Sequence, residues 1–149
     1  MQATWVEPQR LPPNVRVKRD PEYPYMSLFL YDLDAPFPYD RRSSPYLHLL
    51  RVNVACTAAA GAALCVLGQQ GGCLLMGYTP PNPPKGIVHC YRLEVTGHVE
   101  PVAAGAIEGQ ERERFPVKDF QERHGMKVLQ RRFFMSSGQN KGDGTYPTI

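Results

Sequence analysis

The sequence predicts a mostly β domain built from short strands and many turns. The chain has 15 prolines and 13 glycines among 149 residues, a density that favours turns over long helices. Three apolar runs have the length of strands: residues 26–34, 46–54 and 87–95. The hydrophobic fraction of 42% and the charged fraction of 21% are typical of a globular protein with one core.

The first run is apolar on both faces. Because side chains alternate along a strand, Leu28 and Leu30 would point to one face and Phe29 to the other. A strand that is covered on both sides has this pattern. Asp32 and Asp34, at the end of the run, would share a face.

The other two runs alternate more regularly. The second run would place these side chains on one face: Tyr46, His48, Leu50, Val52 and Val54. The third run would do the same for Ile87, His89, Tyr91, Leu93 and Val95. The proline-rich loop before the third run is expected to be stiff, because each proline fixes its own φ and restricts the preceding residue.

Three further segments complete the predicted secondary structure. Residues 55–76 fit either a short helix followed by a strand or two short strands, and the pattern does not separate the two. Residues 116–124 predict a short helix, which Gly125 would end. Residues 128–135 predict a last strand.

The whole chain, residues 1–149, is expected to form one domain. Residues 1–24 would be an extended N-terminal arm or edge strand, and residues 138–149 a polar C-terminal tail. No apolar run is long enough to span a bilayer, and the longest, residues 55–67, is too short. The net charge of +3 is compatible with an anionic ligand or an RNA-rich neighbourhood and establishes neither.

The four cysteines do not predict a zinc site, because Cys56, Cys65, Cys73 and Cys90 include no C-x-x-C pair. Their apolar neighbours favour buried free thiols. We therefore expect a reducing compartment, either the cytoplasm or the mitochondrial matrix.

A small anion-binding pocket is predicted from side chains that end or line the three runs. A phosphate group needs hydrogen-bond donors and positive charge, and the imidazoles of His48 and His89 can supply both. Asp32 would raise the pKa of a neighbouring histidine and fix its tautomer. Tyr91, on the same face as His89, would offer a hydroxyl donor.

The rim of this pocket is expected to include Asp34, Pro36, Pro80, Pro81 and Gly86. Asp34 would bond backbone groups in the turn before Pro36. The prolines would keep the rim rigid, so that little ordering is needed when a ligand binds.

Each of these residues also has a purely structural interpretation. The segment 34–36 fits an ordinary turn, and His48 fits a core histidine bonded to a backbone carbonyl. His89 and Tyr91 fit cross-strand partners. His98 and His124 are expected at the surface, and the arginine-rich segments 112–114 and 131–132 are expected to be solvated faces.

Catalytic residues are not predicted. Ser43 and Ser44 lie near His48 in sequence but lack the Gly-x-Ser-x-Gly elbow. Cys90 would point away from His89 on a strand, which is wrong for a Cys-His pair.

The order of the motifs resembles the phosphatidylethanolamine-binding protein (PEBP) family. That family has an Asp-Pro-Asp-x-Pro segment, then a histidine within a strand, then Gly-x-x-Pro-Pro-x-Gly-x-His-Arg-Tyr. The corresponding positions here are Asp32 to Pro36, His48, and Gly77 to Tyr91, and the resemblance covers residues 26–137. Leu33 and Cys90 replace the proline and the arginine of these motifs.

The resemblance implies an antiparallel β-sandwich with a few short helices and a small pocket at one end of the sheet. Its ligand would be a phosphate-containing small molecule or a phospholipid head group, with no metal or cofactor. Members of the family are mainly binding and regulatory proteins, so a protein partner is expected and an enzyme is not. The alternative is a structural PEBP-like subunit of a large assembly such as the mitochondrial ribosome, bound to ribosomal RNA and proteins, with the pocket vestigial.

Overall fold

Eight strands and one short helix make up the secondary structure of the described residues, 4–5, 14–55, 64–68 and 70–137, in this computed structural model. In chain order they are β1 (Thr4–Trp5), β2 (Val15–Lys18), β3 (Tyr25–Asp32), β4 (Tyr46–Ala55), β5 (Leu64–Leu67), β6 (Cys73–Met76), β7 (Val88–His98), α1 (Val117–Arg123) and β8 (Lys127–Ser137).

The strands form two sheets. The large sheet has six strands in the order β1-β8-β7-β3-β4-β6, and the small sheet pairs β2 with β5. All pairs are antiparallel except β1 with β8. The predicted fold class, a mostly β antiparallel sandwich with little helix, is therefore confirmed.

Strand β3 lies in the middle of three layers because it is apolar on both faces, as predicted. Leu28 and Leu30 belong to a core between the two sheets, to which the small sheet contributes Val15 and Leu67. Phe29 belongs to a second core on the opposite face of the large sheet. That second core is covered by α1 and by the connection that precedes it, through Val102, Ile107, Phe115, Val117 and Phe120.

The predicted alternation along the second run is wrong, although the strand itself is present as β4. Leu50 and Val52 pack into the helix-side core, whereas Val54 packs into the core between the sheets. The pairing of β4 with β3 shifts register twice, and Asn53 has a positive φ of 61°. Each bulge adds a residue and reverses the side on which the following side chains lie.

The remaining elements agree with the predicted ones to within a few residues. Within 55–76, the residues that the structure describes form two short strands, β5 and β6. Residues 56–63 are not among the described residues. Helix α1 begins after Pro116 and ends before Gly125, whose φ is +62°. Strand β8 spans Lys127–Ser137 and is therefore slightly longer than the predicted strand at 128–135.

The N-terminal arm contributes a strand to each sheet. Strand β1 lies at one edge of the large sheet, and β2 belongs to the small sheet. The C-terminal tail, residues 138–149, is outside the described residues. Among the described residues, no helix is long and apolar enough to cross a bilayer.

Two predictions are corrected: the surface position of His98 and the free thiol of Cys65. His98 is fully buried at the end of β7, where its Nε2 accepts a hydrogen bond from the Ser27 hydroxyl at 2.7 Å. Cys73 and Cys90 are free, but Cys65 is disulfide-bonded, and Cys56 lies outside the described residues. The disulfide at Cys65 removes the basis on which a reducing compartment was inferred.

Candidate functional site

The four predicted ligand-binding side chains line one cavity of about 330 Å³ at one end of the large sheet. Asp32 is the last residue of β3, His48 lies in β4, and His89 and Tyr91 lie in β7. Because β3 pairs with both β4 and β7, three segments far apart in sequence bring these groups together. All four side chains are buried.

The Asp32 carboxylate holds His89 in one tautomer. His89 Nδ1 donates to Asp32 Oδ2 at 2.6 Å, so the ring proton of a neutral His89 is on Nδ1. The other carboxylate oxygen, Oδ1, accepts the backbone N–H of Asp34 at 2.7 Å. His89 Nε2 lies on the opposite side of the ring and, among the described residues, has no hydrogen-bond partner.

His48 is held in the same way by a backbone group. Its Nδ1 donates to the carbonyl of Thr79 at 2.6 Å, and the Thr79 N–H donates to the His48 carbonyl at 2.9 Å. Burial lowers the pKa of His48, so the ring is neutral at neutral pH. Its Nε2 then carries a lone pair and makes no hydrogen bond with the described part of the chain.

Tyr91 supplies a protonated hydroxyl to the cavity. Its ring stacks on Phe134 with centroids 5.2 Å apart and meets the edge of His48 at 5.4 Å. Burial, and then the negative charge of Asp32, raises the pKa of Tyr91. The buried hydroxyl makes no hydrogen bond of normal geometry with a described residue.

Two of the five residues expected at the rim belong to the cavity lining. Pro36 and Pro80 line the cavity, whereas Asp34, Pro81 and Gly86 do not. Pro81 is buried beside it, and Gly86 is exposed.

Asp34 has a structural role that differs from the predicted one. Its Oδ2 accepts the backbone N–H of Cys90 in β7 at 2.7 Å, and its Oδ1 accepts from Arg41 Nε at 2.9 Å. It therefore joins the loop after β3 to β7 rather than bonding its own turn. Leu33 makes a second link, because its N–H donates to the Cys90 carbonyl at 3.0 Å.

Several lining residues were not assigned to the site from the sequence. Tyr46, whose ring lies 5.0 Å from that of His48, had a signal, since it precedes His48 by two residues in the same strand. Thr79 and Glu113 had none, because each comes from an irregular loop. Glu113 is exposed and belongs to a segment that was expected to be solvated.

The contacts of Arg112 contradict the expectation that segment 112–114 is a solvated face. Its guanidinium donates to the carbonyls of Leu47 at 3.0 Å and Gly77 at 2.7 Å, so it ties the loop before α1 to β4 and to the segment after β6. These donors are directed at the backbone rather than into the cavity. Arg112 is therefore a structural residue of the cavity wall.

The charges that line the cavity are negative. Asp32 and Glu113 are carboxylates, and no lysine or arginine belongs to the lining within the described residues. In the same part of the chain, no group of three or more His, Cys, Asp and Glu residues is arranged to hold a metal ion.

Solved structures with similar folds include two that bear on this arrangement. The carboxypeptidase Y inhibitor, solved with its cognate proteinase, is 18% identical with a TM-score of 0.65, over 81% of this chain and 64% of that chain. The phosphatidylethanolamine-binding protein from Plasmodium vivax is 16% identical with a TM-score of 0.59, over 85% of this chain and 71% of that chain. With 64% coverage, this chain spans less than two thirds of the inhibitor chain. At these low identities, the likeness of both structures establishes the fold alone.

A search among curated protein sequences finds no match. The family model described as phosphatidylethanolamine-binding protein matches residues 6–134, which is most of the chain and includes every side chain of the cavity. The chain therefore belongs to the phosphatidylethanolamine-binding protein family.

Proposed function

We propose that this chain is a non-enzymatic binding protein whose cavity takes a phosphate-containing small molecule or a phospholipid head group. Asp32, His48, His89 and Tyr91 would form the binding site. The observation that carries the proposal is a pair of buried polar atoms, His89 Nε2 and Tyr91 Oη: both side chains line the cavity, and neither atom has a hydrogen-bond partner among the described residues. Buried polar groups are normally hydrogen-bonded, so a polar ligand would satisfy both.

The protonation state of the site decides whether it binds protonated or deprotonated ligand oxygens. Tyr91 donates a proton at neutral pH, whereas His48 in its neutral form offers a lone pair at Nε2. A phosphoryl group can bind such a site by keeping a proton of its own or by drawing a proton onto an imidazole. Binding of a fully deprotonated oxyanion against the neutral ring of His48 should therefore be accompanied by proton uptake.

The size of the cavity favours a head group. Its volume of about 330 Å³ lies at the low end of the range for ligand pockets, roughly 300 to 1,000 Å³. A phosphoryl group with a short substituent fits this volume, and the acyl chains of a lipid would remain outside.

Calorimetric titration of the full chain with phosphorylethanolamine and with inorganic phosphate tests the proposal. Replacing His89 by Ala removes the imidazole and should weaken binding at least about tenfold, the cost of a hydrogen bond to a charged group. Tyr91→Phe removes only a hydroxyl and should weaken it about two- to tenfold.

The matched control for these variants is His124→Ala, because His124 lies at the end of α1, outside the cavity lining. It should bind both ligands as the wild type does. If the folded wild-type protein binds neither ligand, or if His89→Ala binds as tightly as His124→Ala, the proposed site is wrong.

A protein partner is part of this proposal, since one neighbour in fold is described as an inhibitor in complex with its proteinase. The alternative, a structural subunit of a large assembly such as the mitochondrial ribosome, stays a prediction. The sequence features that favour it, the tails and the apolar segment 55–76, lie partly outside the described residues. The retained cavity favours a binding protein.

A further inference from the structure

We propose that Arg41 is a positioning residue of the cavity, which acts through Asp34 to hold Asp32 against His89. This inference rests on the proposed function and adds a residue that does not line the cavity. Arg41 Nε donates to Asp34 Oδ1 at 2.9 Å, and the Asp34 side chain is only 10% exposed. A carboxylate at this depth needs donors in place of the water that it loses, so its position depends on its partners.

Asp34 connects both members of the buried Asp32–His89 pair. Its backbone N–H donates to Asp32 Oδ1 at 2.7 Å, and Asp32 Oδ2 accepts from His89 Nδ1 at 2.6 Å. Its own Oδ2 accepts the N–H of Cys90, the residue after His89 in β7, at 2.7 Å. Asp34 therefore holds Asp32 on one side and the strand of His89 on the other. A movement of Asp34 would disturb the hydrogen bond between them.

The loop that carries Arg41 is bonded to the turn after Asp34. The Ser43 N–H donates to the Ala35 carbonyl at 3.1 Å, and the Ser44 N–H donates to the Arg41 carbonyl at 3.0 Å. The backbone of Arg41 is thus ordered before its side chain pairs, which lowers the entropic cost of the pair. Because the Arg41 side chain is 62% exposed, its contribution should nevertheless be modest.

The cysteine at position 90 leaves the cation to be supplied by this loop. Cys90 stands where the family motif has an arginine, between the histidine and the tyrosine. Burial, and then the negative charge of Asp34, raises the pKa of the Cys90 thiol, and the charges of Arg92 and Arg41 oppose this rise. A side chain at position 90 is therefore within electrostatic range of the Asp34–Arg41 pair. Since a thiol carries no positive charge, Arg41 supplies it from the loop.

Calorimetric titration of the full chain with inorganic phosphate compares Arg41→Ala with a matched control, Arg42→Ala. Arg42 pairs with Asp40 in the same loop, and neither residue lines the cavity. Both variants remove one positive charge, so any general attraction of the anion is reduced in both. Arg41→Ala should weaken binding about two- to tenfold relative to Arg42→Ala, the size expected when one hydrogen bond of the site is disturbed.

The NMR signal of the His89 Nδ1–H proton reports the Asp32–His89 hydrogen bond without any ligand. Its loss in His89→Ala identifies it. Arg41→Ala should shift this signal or broaden it through exchange with water, whereas Arg42→Ala should leave it as in the wild type. A purely structural surface pair would lower stability without moving this signal.

Two further variants test whether the charge is what matters. Arg41→Lys keeps a cation in the loop, and Arg41→Ala combined with Cys90→Arg returns one from β7. At least one of them should recover most of the lost affinity and the NMR signal. If neither does although both fold, the role given to the charge of Arg41 is wrong.

The outcomes separate this inference from the proposed function. If Arg41→Ala equals Arg42→Ala in both measurements, Arg41 is not a positioning residue and the binding site stands. If the folded wild type binds neither phosphate nor phosphorylethanolamine, the proposed function fails, and the NMR comparison still decides whether Arg41 holds the Asp32–His89 pair.

Discussion

A buried carboxylate, Glu94, organises the helix side of the large sheet at the scale of single residues. It is 1% exposed and accepts hydrogen bonds from the Tyr31 hydroxyl at 2.6 Å, from Gln121 Nε2 at 3.1 Å and from Arg131 Nε at 2.6 Å. Burial, and then the hydrogen bond to Glu94, raises the pKa of Tyr31. Such a carboxylate is tolerated because three donors replace the water that it loses.

Replacing Glu94 by Gln should therefore destabilise the fold. The amide group of glutamine would bring a donor toward Arg131 and would remove the negative charge, so we expect a loss of about 1–3 kcal/mol in the free energy of unfolding. Urea denaturation measures it. The control is Glu122→Gln on the exposed face of α1, and equal stabilities of the two variants would contradict the role given to Glu94.

Residue type, spacing and the family resemblance together predicted the four inner side chains of the cavity and the carboxylate that pairs with a histidine. Alternation, which acts over a few residues, placed Asp32, His89 and Tyr91 on strand faces, and the order of the motifs that resemble the family indicated that they meet. Arg112 was misjudged because it bonds the carbonyls of Leu47 and Gly77, and His98 because it is buried beside Ser27 of β3; all these partners are far away in sequence. A single sequence contains no signal for such tertiary contacts.

At the scale of elements, bulges explain where pattern reasoning was correct and where it was wrong. Strand β7 follows the predicted alternation over the residues that face the core between the sheets, Tyr91, Leu93 and Val95. Strand β4 does not, since its two register shifts reverse the alternation. An extra residue in a strand does not change the amino-acid composition in a recognisable way. Asn53, a residue type that tolerates positive φ, is the local feature that indicates this bulge.

Gly72, just before β6, is required by backbone packing. Its φ is +63°, and a Cβ at this position would lie 2.1 Å from the carbonyl oxygen of Val52 in β4. Gly72→Ala should therefore destabilise the protein through both backbone strain and a steric clash. Gly86→Ala is a matched control, because Gly86 has a φ of +75° and no atom within 4 Å of a built Cβ.

The two glycine variants should differ in thermal or urea denaturation. Gly86→Ala should cost about 1–2 kcal/mol, the penalty of a left-handed conformation. Gly72→Ala should cost about 1–3 kcal/mol more, since the carbonyl of β4 would have to move. Equal losses would indicate that the approach of Gly72 to β4 is not tight.

For the whole molecule, the arrangement of layers places the cavity. The small sheet covers one face of the large sheet and α1 covers the other, so the open end of β3 remains for the side chains of the cavity. The sequence predicted two-sided burial of β3, which is the basis of this arrangement. It did not predict which loops close the cavity, because the conformations of residues 77–86 and 110–115 depend on contacts with β4 and β7.

Buried neutral histidines should make the fold sensitive to acid. Burial lowers the pKa of both His48 and His98 from the ordinary value of 6.5. The unfolded chain then binds protons at a higher pH than the folded chain, so the free energy of unfolding should fall as the pH drops below about 6.5. At neutral pH the unfolded chain binds few protons at these positions, so the effect is small there.

The variant His98→Gln tests this origin of acid sensitivity away from the cavity. Removing one of the titrating rings should lower the slope of unfolding free energy against pH, measured by urea denaturation from neutral pH to about pH 5. Ser27→Ala is the control, because it removes the hydrogen bond to His98 Nε2 but keeps the titrating ring. It should lower the whole curve and preserve most of its slope. Parallel curves for the wild type and His98→Gln would show that His98 does not contribute to the acid response.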